Sequence, residues 1–162
     1  MAQNVVTKSS LRVGVVSDTH GLLRTEVLPK LAGVDAILHA GDIGDIAIID
    51  RLMQIAPVTA IRGNVDTTGP CSQFPATEMV ELDGVLLYLV HSVFDLDIKP
   101  EAAGVRVVVS GHSHKPSLEE RNGVVYLNPG SIGPRRFQLP ISMAILHIAD
   151  DTVQVEFLTL EG

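Results

Sequence analysis

The sequence predicts a mixed α/β domain in which two β-sheets pack face to face with helices outside. Three observations predict it. Up to Ile61, apolar runs alternate with segments of helical spacing; from Thr77 onward, apolar runs come in pairs around turn dipeptides; and the apolar residues are aliphatic, with 46% of the 162 residues hydrophobic but only 4% aromatic. Val and Ile suit the pleated surface of a sheet. A chain of this length buries about 70% of its unfolded surface around one core, so residues 11–162 are expected to form a single domain after a polar segment, residues 1–10.

Val5 to Val16 becomes increasingly apolar and ends in Val13-Gly14-Val15-Val16-Ser17-Asp18, a buried strand reaching a polar end. A helix is expected from Leu23 to Leu31. The second run, Ala36-Ile37-Leu38-His39-Ala40, ends in Gly41-Asp42. Asp45 to Ile55 then carries Ile46, Ile49, Leu52 and Met53 at helical spacing, with Asp45 as the N-cap. The third run, Val58-Thr59-Ala60-Ile61, leads into Arg62-Gly63-Asn64-Val65-Asp66. Strand, helix, strand, helix, strand implies parallel pairing through right-handed crossovers.

After Gly69-Pro70 the pattern changes. Thr77 to Leu82 and Val85 to Val90 flank Asp83-Gly84, a dipeptide that favours a type I′ hairpin turn. The second of these strands delivers His91, and Val105 to Ser110 delivers Gly111-His112-Ser113-His114. Two further hairpins are expected: Leu118 to Glu120 with Val124 to Leu127 around Asn122-Gly123, and Ile141 to Ile148 with Val153 to Leu158 around Asp150-Asp151.

The formal charge is −7, and no basic run exceeds the pair Arg135-Arg136. This argues against broad nucleic-acid binding through phosphate contacts. It leaves open a small phosphate ester bound through cations, because two divalent ions would reverse the local potential. The lone cysteine, Cys71, excludes an intramolecular disulfide and a Cys-based zinc cluster. Met1 to Ser10 lacks an apolar core, and no apolar stretch reaches the roughly 18 residues of a membrane span. A soluble cytoplasmic protein is expected, and the composition is compatible with a homodimer without requiring one.

The residues that carry chemistry sit just after the apolar runs. Asp18, His20, Asp42, Asn64, His91, His112 and His114 can all bind metal, and from Asp18 through Asp42, Asn64 and His91 to His112 the steps are 24, 22, 27 and 21 residues. Each step is about one strand plus its connection. Residues at the carboxyl ends of neighbouring strands converge on one edge of a sheet. Imidazole, carboxylate and amide oxygen without thiolate suit Mn²⁺, Fe²⁺, Zn²⁺ or Ni²⁺. Seven ligands exceed what one ion with an open position needs, so two ions sharing a carboxylate fit better. Asp-x-His and His-x-His place alternate side chains on one side of an extended segment. Any one of these motifs is commonly a turn or a loop; their shared place after successive apolar runs sets them apart.

Asp18-x-His20, Gly41-Asp42, Gly63-Asn64-x-Asp66, His91 and Gly111-His112-x-His114 together resemble the calcineurin-like metallophosphoesterase family, in its small single-domain phosphodiesterase branch. The resemblance runs from about residue 11 to 148. It implies a four-layer αββα sandwich, two mixed sheets with helices on the outer faces and a dimetal site on one edge. It further implies that Asp18, His20 and His114 hold one metal, that Asn64, His91 and His112 hold the other, and that Asp42 bridges them. The two divalent ions are expected to be Mn²⁺ first, with Ni²⁺, Zn²⁺ or Fe²⁺ as alternatives. Asn128-Pro129-Gly130-Ser131 also resembles this branch, where it is a loop near the site; a plain turn explains it equally well.

Two positions depart from the family pattern. Many members carry a His directly after the Asn, as a general acid or a stabiliser of phosphoryl oxygens; this chain has Val65, which can do neither. Gly is usual after the ligand that His91 matches, where this chain has Ser92, so a less compact backbone is expected there. His39 is expected to be a core imidazole or one that braces a ligand, His147 to be structural, and Arg135-Arg136 to be a solvated loop pair.

The expected function is a dinuclear metal-dependent phosphodiesterase, in which a hydroxide held between the ions attacks phosphorus in line. Asp42, Asn64 and Asp66 are the candidate catalytic residues, Asp66 orienting Asn64 or a water. Without a His at position 65, good leaving groups should be favoured and phosphomonoesters turned over weakly. Two rival functions compete with it: a protein-binding scaffold of the same fold, resembling a retromer subunit whose site is incomplete, and a mononuclear metal hydrolase acting on amides or esters.

Overall fold

In the computed structural model, residues 10–160 are described, so the expected polar segment, Ser10 apart, lies outside the described residues. In chain order the elements are β1 (Leu11–Val16), α1 (Val27–Lys30), β2 (Ala36–His39), α2 (Ile46–Met53), β3 (Val58–Ala60), β4 (Thr77–Leu82), β5 (Val85–Val90), α3 (Pro100–Ala103), β6 (Val105–Val109), β7 (Ser117–Arg121), β8 (Val124–Asn128), β9 (Ile141–Ala149) and β10 (Thr152–Leu160). Short 3₁₀ segments occupy Pro70–Gln73 and Val93–Asp95.

Alternation along β1 shows how the layers arise. Val13 and Val15 face the second sheet, whereas Val16 faces the helical side, and all three are fully buried. A strand apolar on both faces belongs in the middle of a layered structure. The first sheet has the order β10-β9-β1-β2-β3, with β1, β2 and β3 parallel, as their alternation with helices predicts, and β9 antiparallel to β1. The second has the order β4-β5-β6-β8-β7, parallel through β5, β6 and β8 with antiparallel edges. Leu38, Ala40, Leu87, Leu89, Val107, Val109, Leu127 and Leu146 fill the space between the sheets. Ile48, Ile49 and Leu52 of α2, with Leu31, cover the outer face of the first sheet, where they pack with Ile37 and Met143. On the outer face of the second, Tyr88, Val90 and Val108 lie under Leu96 and Ile98. The architecture is the expected sandwich of two mixed sheets with few helices.

The three hairpins turn where turn chemistry places them. Asp83-Gly84, Asn122-Gly123 and Asp150-Asp151 all have positive φ at both residues, the requirement of a type I′ turn. Pairing of β5 with β6 skips Arg106 between the Leu86 and Leu87 partners. This bulge turns Val105 to the outer face while Val107 keeps the inner one.

The helices depart from expectation. Only Val27–Lys30 of the expected Leu23–Leu31 helix is helical. Pro29 has no N–H, and neighbouring amides bond three residues back, Val27 to Arg24, Leu28 to Thr25 and Ala32 to Pro29, a tighter winding that cannot extend far. Asp45 does cap α2, accepting from the Ala47 N–H at 3.0 Å, but Met53 is 59% exposed and Ile48 takes its expected place in the core. α3 went unanticipated although its signal was present: Pro100 opens it and Gly104, with φ of 80°, closes it. Among the described residues no helix is long and apolar enough to cross a membrane.

Candidate metal centre

The carboxyl ends of β1, β2, β3, β5 and β6 meet at one edge of the sandwich. Backbone bonds join them: the Asp18 N–H donates to Gly41 O, His20 N–H to Asp42 O, Gly21 N–H to Ile43 O, and Gly111 N–H to His91 O. The structure therefore brings together the residues the sequence singled out. Ligand atoms of Asp18, His20 and His114 lie within 4.8 Å of one another, and so do those of Asp42, His91 and His112. Asn64 lines the same cavity as His91 and His112.

The two groups touch. Asp42 Oδ2 lies 3.1 Å from His91 Nε2 and 3.4 Å from His20 Nε2. Asp18 Oδ1 lies 3.6 Å from the Nε2 atoms of both His20 and His114, and 3.8 Å from that of His91. Asp18 Oδ1, His20 Nε2, His91 Nε2 and His114 Nδ1 are buried without a hydrogen-bond partner. Orphan polar atoms of this kind are costly, and all four belong to the two ligand groups. The donor set fits divalent cations.

The backbone is held out of its usual range here. Asp18, His20, Asp42, His112 and His114 all have φ between 46° and 72°. Left-handed backbone at a non-glycine residue costs about 1–3 kcal/mol and persists where the surroundings impose it, commonly at functional sites. Close approach of chains also explains two glycines. A Cβ on Gly63 would collide with Asp42 Oδ1, and one on Gly111 would collide with Ser17 Oγ and Asp18 Oδ2.

A second set of bonds fixes the candidate ligands. Asp18 Oδ2 accepts from Ser17 Oγ at 2.7 Å and the His112 N–H at 3.0 Å, which turns Oδ1 towards the imidazoles. Asp42 Oδ1 accepts from the Val65 N–H at 2.9 Å. Asp66 is buried, and its carboxylate accepts from the backbone N–H groups of Ile43, Gly44 and Gly63 at 2.9, 3.0 and 2.9 Å. It thereby ties the loop bearing Asp42 to the loop bearing Asn64. His39 accepts from the Gly41 N–H at Nδ1 and faces Thr19 Oγ1 at 3.1 Å through Nε2, and Thr19 in turn donates to Ile43 O.

Asn128-Pro129-Gly130-Ser131 is a loop against the site rather than a detached turn. Asn128 Nδ2 donates to Gly111 O and Ser131 Oγ to Asp18 O, both at 2.9 Å. Ser17, Thr19 and Ser131 were missed as supporting residues; their signal was a hydroxyl next to a ligand, or inside a motif already noticed. Ser92 accepts from the Phe94 N–H through Oγ at 3.3 Å and caps the 3₁₀ turn after His91. His147 faces Glu156 at 3.2 Å across the β9–β10 pair, away from the site. Arg135 and Arg136 are exposed.

The electrostatics follow from two buried carboxylates among imidazoles. Burial alone would raise the Asp42 pKa, but the close approach of the His91 imidazole, the hydrogen bond from the Val65 N–H and the nearby charges of His91 and His20 hold it down at about 2. Burial works against a charged His91, yet Asp42, the Ala40 carbonyl and Asp18 raise its pKa. For His114 burial prevails and lowers the pKa against the pull of Asp18, with Arg136 adding to the lowering. Burial also brings His39 down to about 4, despite Asp18 and Asp66.

A family model described as "Calcineurin-like phosphoesterase superfamily domain" matches residues 11–151. A probable metallophosphoesterase of Methanocaldococcus jannaschii is 29% identical over 165 residues, which cover 94% of this chain and 83% of that protein. The phosphodiesterase YfcE of Escherichia coli K12 is 32% identical over 106 residues, 61% of this chain and 58% of its own length. A predicted phosphoesterase from Streptococcus pneumoniae TIGR4 has a solved structure that superposes with a TM-score of 0.74 at 28% identity, covering 93% of this chain and 90% of that one. Vacuolar Protein Sorting 29 from Cryptosporidium parvum reaches the same TM-score of 0.74 at 19% identity, covering 94% and 99% of the two chains. That last likeness is one of fold alone.

Proposed function

The chain belongs to the calcineurin-like phosphoesterase superfamily, and from that premise we propose that it is a phosphodiesterase working with two divalent metal ions. The convergence of three partnerless buried atoms, the Nε2 atoms of His20 and His91 at 3.6 and 3.8 Å from Asp18 Oδ1, carries the reading. Asp18, His20 and His114 would hold one ion, and Asn64, His91 and His112 the other. Asp42 would be shared, a role supported by its approach to one imidazole of each group. Such ions supply Lewis acidity towards phosphoryl oxygens and water that ionises near neutral pH.

The chain itself supplies position and exclusion. Ser17, the His112 N–H and the Val65 N–H hold the two carboxylates so that their other oxygens face the imidazoles. Asp66 fixes the spacing of the Asp42 and Asn64 loops as a positioning residue. A groove of about 770 Å³, lined by Asn64, His91 and His112, receives the ester. Val65 stands where a proton donor to the leaving group could stand and offers none, which favours diesters with good leaving groups over alkyl monoesters.

The deciding experiment strips the metal, restores Mn²⁺, Ni²⁺ or Zn²⁺ separately, counts bound ions, and compares turnover on diesters and monoesters. Two ions per chain with diester turnover that vanishes on chelation is the expected result. One ion per chain would favour the mononuclear hydrolase. A protein with no turnover under any ion would favour the scaffold, for which only the likeness of fold speaks.

A further inference from the structure

Phe94 is 93% exposed, although it lies three residues after the ligand His91 on the 3₁₀ segment Val93–Asp95. An isolated exposed apolar residue needs no explanation, but this one has a particular setting. Phe94 borders two depressions that both reach His112, one lined also by Asn64, His91 and Thr77, the other by Ser113 and Arg121. The turn beneath it is braced: Ser92 Oγ accepts the Phe94 N–H at 3.3 Å and Ser92 O accepts the Asp95 N–H at 2.9 Å. Ser92 is the residue that replaces the usual glycine after this ligand, and its work is to hold the turn that presents Phe94.

The rest of the wall narrows what could lie on the ring. Asp95 and Asp97 line the same groove as Thr77 and Ser92, and Asp97 Oδ1 accepts from the Tyr88 hydroxyl at 2.7 Å. Carboxylates and hydroxyls suit the hydroxyl groups of a sugar and the amino groups of a base. They repel a second phosphate. Arg62 is the one Lys or Arg among the described residues that line this groove, so the phosphate belongs at the ligand end and an uncharged arm at the Phe94 end.

We infer that Phe94 is a stacking platform for a nucleoside arm, so that this site takes phosphodiesters in which at least one ester arm is a nucleoside without further phosphate. The inference rests on the diesterase reading above. Base–aromatic stacking is sequence-tolerant, because every base has a π-face, and its loss costs about fivefold or more in affinity.

The test compares thymidine 5′-methylphosphonate with methyl methylphosphonate, two monoanions that differ only in the arm, by calorimetry on the Mn²⁺-loaded protein. The wild type should bind the thymidine compound more tightly. Phe94→Ala should shrink that preference by about fivefold or more, and Phe94→Trp should keep it. An unchanged preference in Phe94→Ala, equal weakening of both compounds, or no binding of the thymidine compound by the wild type would overturn the inference. Turnover of thymidine 5′-p-nitrophenyl phosphate and methyl p-nitrophenyl phosphate, followed in parallel, tests the diesterase reading separately. If neither is hydrolysed with any ion while binding still depends on Phe94, that reading falls and the platform stands.

Discussion

His91 Nδ1 lies 2.7 Å from the carbonyl oxygen of Ala40. A carbonyl can only accept, so Nδ1 carries the proton and Nε2 is left to face Asp42 Oδ2 at 3.1 Å. Ala40 is two residues before Asp42, so one turn of chain sets both the imidazole and the carboxylate.

This geometry predicts unequal effects of two substitutions on ion count. His91→Ala should leave about one ion per chain, whereas Asp42→Ala should weaken both, because Oδ2 reaches an imidazole of each group. Atomic emission on dialysed protein reads the ratio. Thermal melts read the same effect as lost stabilisation, which is about 2.7 kcal/mol at an ion concentration a hundred times Kd. Retention of two tightly bound ions by Asp42→Ala would remove the shared carboxylate from the proposal.

Asp66 leads to a prediction about structure rather than chemistry. Its buried carboxylate accepts three backbone N–H groups from two loops. Hydrogen bonds to a charged group contribute about 1.5–3 kcal/mol each, not additively. Asp66→Ala should therefore destabilise the fold by about 3–5 kcal/mol in urea unfolding. Asp66→Asn, which keeps one acceptor oxygen, should cost less. If Asp66 acted in proton transfer instead, Asp66→Asn would keep its metal content and stability yet lose turnover.

Strand ends and candidate ligands were legible in the sequence for the same reason. A buried strand is an apolar run, and its polar residues begin where it leaves the core, as at Val16-Ser17-Asp18 and Ala40-Gly41-Asp42. The hairpin turns were equally plain, since Asp-Gly and Asn-Gly tolerate positive φ. Helix α1 was not, because Leu23, Val27 and Leu31 are all buried whether the segment is helical or a series of tight turns; only the missing N–H of Pro29 distinguishes the two. The left-handed backbone at five candidate ligands was also hidden. Asp and His enter this region more often than most residues, but that preference does not mark which positions do, and bonds between segments as distant as Asp18 and His112 hold it. Phe94 escaped notice because exposure is a property of the fold and not of a Val-Phe-Asp triplet.

His39 should make stability depend on pH. Its pKa is about 4 in the folded protein against an ordinary value of 6.5, chiefly through burial. The unfolded chain therefore binds a proton between these values that the native state refuses. The stabilising effect is complete above pH 6.5 and is lost as the pH falls towards 4, about 3 kcal/mol in all. In chelator, urea unfolding at about pH 7.5 and about pH 4.5 should show a smaller loss for His39→Gln than for the wild type, by about 2–3 kcal/mol. Equal losses in the two proteins would mean that His39 is not held neutral.

Val65 allows the missing proton donor to be restored. Its side chain is 46% exposed, while its backbone N–H is fixed to Asp42 Oδ1 at 2.9 Å. A substitution should thus change the side chain without releasing the carboxylate, at a stability cost within about 0.5 kcal/mol. General acid catalysis by a placed imidazole contributes about 10²–10⁴-fold where departure of the leaving group limits the rate. Val65→His should accordingly raise kcat for an alkyl phosphomonoester by about tenfold or more, and change much less with a p-nitrophenyl diester, whose leaving group departs unaided. A plot of log kcat against leaving-group pKa would be shallower in the variant. If the slope is unchanged while both ions remain bound, protonation of the leaving group does not limit the reaction, and the expected bias towards good leaving groups must come from the groove instead.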